Sequence, residues 1–311
     1  MEDNNKYLKY AVILLNYNTV NDAINAAQSI VRNAISDEYV ICFVDGYSTA
    51  SCQAEAFRLA NIHNSCILEL KNNVGYAKGN NAGVRFLLEN HFIFQNLVIM
   101  NPDVEVKSHG MIDILLEELN NIGEDYCGIQ PLVWTPHLSN EANRQICIRK
   151  VYSYFDCILD SFYPIRKLFI NKYQEMVYYK ERPYERLIDF EVPSGCFFII
   201  KTDAFMKVGM FDERTFLYAE EIILGYKLKK EHYKFVLDPS WLVVHEGGKS
   251  TGSHHGTVAS SFVAKEEIRS LEIYMRHYLN CGKVKILLVK FLFMFNYYAK
   301  KISALINFSA V

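Results

Sequence analysis

Two kinds of segment alternate along the first hundred residues. Continuous apolar runs of strand length stand at "YAVILLN" (10–16), "YVICFVD" (39–45), "CILEL" (66–70) and "LVIM" (97–100). Runs this short, apolar at successive positions, predict strands buried on both faces. Between them the apolar positions follow helical spacing. After Thr19, a predicted N-cap, come Val20, Ala23, Ile24, Ala27, Ile30, Val31 and Ala34. Strands alternating with helices predict an α/β chain built on a mostly parallel central sheet flanked by helices. "GCFFII" (195–200), "KFVLD" (234–238) and "WLVVH" (241–245) predict further strands. Residues 135–190 are long, aromatic and charged, and read as partly helical without a clear boundary.

Ligands bind such sheets beyond the carboxyl ends of the strands. Three strands end there in polar groups: Asn16-Tyr17-Asn18, Asp45 and Asn101-Pro102-Asp103. These groups should converge on one cleft. Asp45 also suits a turn before Gly46, a common place for aspartate.

The last apolar stretch, "VKILLVKFLFMFNYYAKKISALINF" (284–308), is interrupted by Lys285, Lys290, Lys300 and Lys301. Those charges argue against a membrane span. They suit an amphipathic helix lying on a membrane surface, or a C-terminal helix packed on the domain or on a partner chain.

Composition narrows the functions available. The 311 residues are 50% hydrophobic and 22% charged, enough for one large domain with an appendage. A net charge of −2 gives no basic field to attract nucleic acid. The eight cysteines include no C-x-x-C pair and several lie in apolar runs, so they read as reduced core thiols. The polar start "MEDNNKYLKY" lacks a signal-peptide core, which predicts a cytoplasmic chain.

Six landmarks in order carry a resemblance: "LLNYN" (14–18), "FVDGYST" (43–49), "NNVGYAKGNNAG" (72–83), "MNPDVEV" (100–106), "PSGCFFIIKTDAFMKVGMFDERTFLYAEE" (193–221) and "VVHEGGKS" (243–250). Together they resemble the family 2 glycosyltransferases, inverting enzymes of the GT-A fold, and within them the rhamnosyltransferase-like branch of bacterial surface-polysaccharide assembly. The resemblance covers residues 10–250, apart from the middle insert. It implies a GT-A domain over 1–255 with an aromatic-rich insert at about 135–190; the tail at 256–311 lies outside the resemblance and reads, from its own residues, as a C-terminal helical segment that associates with a membrane or packs on protein.

The resemblance also implies roles. Asn16, Tyr17, Asn18, Asp45, Asn73, Gly75, Lys78, Gly79, Asn81, Asn101 and Asp103 would bind a nucleoside diphosphate-sugar, dTDP- or UDP-linked. The glycines at 75, 79 and 83 equally suit a tight turn opening a helix. Asn101-Pro102-Asp103 stands where the family has its D-x-D motif. There Asp103, with His245 and Glu105, would hold Mg²⁺ or Mn²⁺, hard cations that take oxygen ligands and offset the charge of a departing diphosphate. Glu105 shares a face with Asp103 if strand alternation runs through both. Glu220 and Glu221 match the family's Glu-Asp pair, with Glu221 as the base that deprotonates the acceptor. Two acids in a first helical turn also complement the helix dipole without catalysis. Gly247 and Gly248 suggest a loop closing over the donor.

The sequence departs from the family pattern at Gly46, Ala50, Glu221 and Ile223, where the family has Asn, Asp, Asp and Asp. The implied function is transfer of a sugar, rhamnose by the branch, to a hydroxyl of a lipid-linked or growing surface glycan. The enzyme would work in the cytoplasm or peripherally on the inner membrane face, with a homodimer admitted. The alternatives are a catalytically weakened GT-A scaffold subunit and a sugar nucleotidyltransferase.

Overall fold

The computed structural model describes residues 6–50, 52–136, 148–178, 185–246 and 260–308. The chain begins with β1 (Lys6–Asn16), α1 (Val20–Asn33), β2 (Tyr39–Asp45), α2 (Gln53–Leu59), β3 (Ser65–Glu69), α3 (Tyr76–Glu89) and β4 (Phe92–Met100). It continues through β5 (Val104–Val106), α4 (Met111–Ile122), β6 (Tyr126–Trp134), α5 (Tyr154–Ser161), α6 (Tyr163–Leu168) and α7 (Ile170–Met176). The last elements are β7 (Ile188–Phe190), β8 (Phe197–Lys201), α8 (Thr202–Lys207), α9 (Glu220–Lys230), β9 (Lys234–His245), α10 (Ser261–His277) and α11 (Lys283–Phe308).

The strands form a sheet of order β3-β2-β1-β4-β8-β6-β9-β5, with β7 paired to β9. The half read from the apolar runs is parallel: β1 pairs β2 and β4, and β2 pairs β3. The other half is mixed, because β8 runs antiparallel to β4 and β6 while β6 and β9 run parallel. The two runs expected separately at 234–238 and 241–245 form one strand. Pairing passes from Pro131–Asp238 to Leu132–Leu242, so the strand carries Pro239 in a bulge, where its missing N–H breaks no ladder bond.

Residues Tyr10–Leu14, Ile41–Val44 and Leu97–Ile99 are fully enclosed in the sheet's core. A second cluster forms beside it. Tyr152, Cys157 and Met176 from the insert meet Ile222 and Ile223 of α9, Tyr274 and Met275 of α10, and Ile286 and Val289 of α11. The insert and the C-terminal helices, expected as separate additions, thus share one core. Helix α9 joins the two clusters, since its Leu224 and Leu228 belong to the sheet core. The described cysteines are all free thiols.

Candidate active site

Asn16 ends β1 fully buried, so both ends of its amide need partners. Its Oδ1 accepts from the Thr19 backbone N–H (3.1 Å) and hydroxyl (3.0 Å). Its Nδ2 faces Asp45 Oδ1 (3.3 Å), Ser48 Oγ (3.3 Å) and Gln53 Oε1 (3.4 Å). The Ser48 hydroxyl donates to Asp45 at 2.6 Å. The side chain of Thr19 makes no capping bond. Gln53 Oε1 instead accepts from the Val20 N–H, the first of α1, at 3.1 Å. The two strand ends are therefore locked by side chains rather than left to solvent.

In front of that lock lies a cavity of about 400 Å³. Asn16, Tyr17 and Gly46 form one side, Asn73, Gly75 and Tyr76 a second, and Asn101 with Pro102 a third. Phe216, Leu217 and Phe262 add an apolar wall. Gly75 has φ 82°, and a Cβ there would overlap the Phe216 carbonyl, which accepts from the Tyr76 N–H at 2.8 Å. Only glycine fits so close a crossing.

The expected donor-binding residues divide. Asn16, Tyr17, Asn73, Gly75 and Asn101 line the cavity. Asp45 stands behind it, joined to Asn16. Asn18 binds Thr49 and Ala50 instead. Lys78 is exposed near Glu213, and Gly79 packs against Leu15. The buried Asn81 is occupied by the backbone of Phe211 and by Glu213.

Asp103 is nearly enclosed and meets His245 across the β5–β9 edge, Oδ1 to Nε2 3.3 Å. The pairing of Val104 with His245, and the Glu246 N–H on the Asp103 carbonyl (3.1 Å), fix that approach. Burial alone would lower the imidazole's pKa, but the facing Cys196 and Asp103 outweigh it and lift it to about 11. Glu105 is directed elsewhere, to Lys107 (2.5 Å) and Arg32 (3.9 Å). The turn at Asn101–Asp103 precedes β5, so strand alternation does not carry through Asp103. Among the described residues no three acids, histidines or cysteines gather as a metal site. The Asp103 carboxylate is a donor that suits Mn²⁺ or Mg²⁺ completed by phosphate and water oxygens, and the imidazole would join it only on giving up its proton.

Glu220 and Glu221 open α9 after two residues in left-handed backbone, Tyr218 (φ 69°) and Ala219 (φ 63°). Such conformations cost energy in non-glycine residues and collect at functional sites. Glu220 is buried, with Oε1 lacking a hydrogen-bond partner among the described residues. Burial and the charge of Glu221 push its carboxyl well above the usual range. Burial raises Glu221 as well, opposed by a backbone hydrogen bond and by Arg149.

Glu221 lines a second cavity of about 330 Å³ with Arg149, Asp160, Ser194, Gly195, Glu267 and Leu271. Burial and the charge of Asp160 raise Glu267 to about 7. A hydrogen bond from the Tyr76 hydroxyl to the Gly195 carbonyl (2.5 Å) links the walls of the two cavities. The cleft expected to hold Asp45, Asp103 and Glu221 is thus two cavities joined through Tyr76 and Gly195: Glu221 lines the second, Asp45 stands behind the first, and Asp103 follows Asn101 and Pro102 of the first without lining either. Residues 247–259, where a closing loop was expected, lie outside the described residues.

Sequence reasoning did not single out Tyr76, Phe216, Phe262, Arg149 or Glu267. Tyr76 stood inside a quoted landmark, and its aromatic ring between two glycines was a usable signal. Arg149 and Glu267 lie outside the landmarks.

Solved structures share this architecture. GalNAc-T7 with UDP, GalNAc and Mn²⁺ superimposes with a TM-score of 0.58 at 14% identity, over 88% of this chain and 50% of that one. The mannosyltransferase PcManGT from Pyrobaculum calidifontis, with GDP-Man and Mn²⁺, gives 0.55 at 13%, over 95% and 74%. S. aureus TarS 1–349 in complex with UDP-GlcNAc gives 0.51 at 11%, over 94% and 73%. The fold is GT-A.

No family model matches the sequence. Among curated proteins, the chain is 28% identical over 214 residues to the N-acetylglucosaminyl-diphospho-decaprenol L-rhamnosyltransferase of Mycobacterium tuberculosis, recorded in two strains. The match covers 67% of this GT-A chain and 66% of the relative, so the chain spans just under two thirds of that protein's length. The likeness to the rhamnosyltransferase-like branch, first visible in the landmarks, is borne out by this relative.

Proposed function

We propose that this chain is an inverting glycosyltransferase that moves a sugar, rhamnose by its resemblance to the mycobacterial relative, from a nucleoside diphosphate to a hydroxyl of a lipid-linked glycan. The observation that carries the reading is the place of Glu221, in the wall of one cavity and one hydrogen-bonded step, Tyr76 to Gly195, from the other. The first cavity takes the donor. Asn16, Tyr17 and Gly46 meet its nucleoside, Asn73 and Gly75 offer polar atoms and close backbone approach, and Asn101 meets the sugar or ribose. A divalent cation on Asp103 and His245 would offset the charge of the leaving diphosphate.

The second cavity takes the acceptor. Glu221 accepts the proton of the reacting hydroxyl while its oxygen forms a bond to the anomeric carbon. The bond from that carbon to the diphosphate breaks on the opposite face, so the configuration inverts. Arg149 offsets part of the acidic charge around the hydroxyl, and Glu267 accepts hydrogen bonds from the acceptor sugar. Burial and the neighbouring carboxyl raise Glu220 well above the usual range and burial raises Glu221 too, so the pair favours holding one negative charge. The related rhamnosyltransferase is named for a lipid-linked acceptor, N-acetylglucosaminyl-diphospho-decaprenol. An acceptor of that class would hold the enzyme peripherally on the inner membrane face.

A panel of dTDP-, UDP- and GDP-sugars, incubated with Mn²⁺, tests the reading through its products. At least one donor should yield nucleoside diphosphate, with Asp103→Asn and Glu221→Gln both losing that release while keeping the wild-type fold. Pyrophosphate as the product, or full activity in both variants, would refute it.

A further inference from the structure

Helix α11 is apolar on two faces, but the described protein covers only one of them. Ile286 and Val289 are buried against the second core. Leu287, Phe291 and Phe295, spaced four apart on the other side, are 63%, 66% and 56% exposed, and Ile302 continues the stripe. A helix hydrophobic all round has something apolar against both sides. The stripe also extends beyond α11. The Phe295 ring meets Phe162 at 6.0 Å, and the adjoining α6–α7 segment presents Leu168, 76% exposed. Insert and tail thus build one continuous apolar surface, larger than scattered surface residues explain.

The charge around this surface selects its occupant. The stretch from Lys283 to Phe308 contains five lysines and no acid, in a chain whose net charge is −2. Lys290 is taken up by Glu272 at 2.6 Å, while Lys300 and Lys301 are exposed. Arg166, Lys167 and Lys172 add positive charge on α6 and α7. A two-fold pairing of such faces would bring lysines against lysines. An anionic bilayer presents apolar interior and negative headgroups in the matching arrangement. The surface also adjoins the acceptor cavity. Asp160 lines that cavity and pairs with Arg166 at 3.5 Å, and the charge of Lys300 reaches Glu267.

We infer that the joint face of α6, α7 and α11 docks on an anionic lipid bilayer, setting the cavity beside Glu221 at the headgroup level where a lipid-linked acceptor presents its sugar. The placement of the acceptor rests on the proposed function; the bilayer contact does not. No described helix is long and apolar enough to cross a membrane.

Flotation of the full chain with vesicles tests the contact without any nucleotide sugar. The wild type should float with mixed phosphatidylglycerol–phosphatidylcholine vesicles and far less with phosphatidylcholine alone. Leu287→Ser with Phe291→Ser should weaken partition about tenfold for each residue. Lys283→Glu with Lys301→Glu should weaken it at least about fivefold for each and abolish the preference for anionic vesicles. Both variants should keep the wild-type melting temperature and nucleoside diphosphate release. Equal flotation of wild type and variants, or none with either vesicle, would overturn the inference. So would a wild-type dimer that the serine pair converts to a monomer, because the occupant would then be a second copy. Flotation as expected without nucleoside diphosphate release from any donor would sink the glycosyl-transfer reading and leave the bilayer contact standing.

Discussion

The Glu221 carboxylate occupies the space that a side chain at position 195 would need. A Cβ built on Gly195 would overlap Oε1 of Glu221, the far end of a movable side chain. Gly195→Ala should therefore fold, yet displace the carboxylate. Because misplacing a reacting group by about an ångström costs on the order of 10²-fold in rate, kcat should fall about that far with the donor KM unchanged. Steady-state kinetics beside a melting curve would separate this from misfolding.

The pH profile of transfer should carry the mark of Glu221. A base acts in its ionised form, and burial raises this carboxyl above its ordinary value. Transfer should therefore rise with pH through a limb lying above the usual carboxylate range. Glu221→Gln should remove the limb and lower the rate by about 10²–10⁴-fold, the contribution of a positioned base. The kcat–pH curves of the two proteins check both points.

Glu267 couples the acceptor cavity to stability. Burial and Asp160 raise its pKa from 4.5 to about 7, against opposing contributions from Arg149, Lys300 and Arg166. The folded value exceeds the unfolded one, so its stability contribution is intact below the unfolded pKa and is lost as pH rises through about 7. Glu267→Gln has no such loss. Its stability relative to wild type should climb between pH 5 and pH 8, by an amount on the order of 1–3 kcal/mol, read as a rising melting temperature. A parallel series of melting curves decides it.

Asn16 holds the donor side together. Asn16→Ala would leave the Thr19 donors and the Asp45–Ser48–Gln53 cluster short of a partner in a buried place. The cost should be about 2–3 kcal/mol, the desolvation penalty of unpaired polar groups. Asn18→Ala, in the exposed loop, should cost well under half as much. Chemical denaturation of both variants tests the contrast.

The parallel half of the sheet was legible because β1, β2 and β4 are apolar on both faces, a pattern few other structures produce. The mixed half was less so. β8 has the same apolar run as a parallel strand, and nothing local tells it to run antiparallel to β4. Pro239 divided β9 in the sequence, although a bulge admits it. At the site, Asn101-Pro102-Asp103 stood out as a polar turn after an apolar strand, and His245 as the strand end facing it. The direction of Glu105 was hidden, because alternation cannot be counted through a turn. Arg149 and Glu267 were hidden for another reason. They come from the insert and the tail, and only the core shared by α5, α9, α10 and α11 brings them to Glu221.

The most direct test of the account is the anomeric configuration of the product. The donor identified from the panel, with an isoprenyl diphosphate-linked N-acetylglucosamine acceptor, should yield one glycoside whose proton NMR signals show the configuration opposite to the donor's. Retention of the donor's configuration, or consumption of donor with no new glycoside, would contradict a single displacement assisted by Glu221.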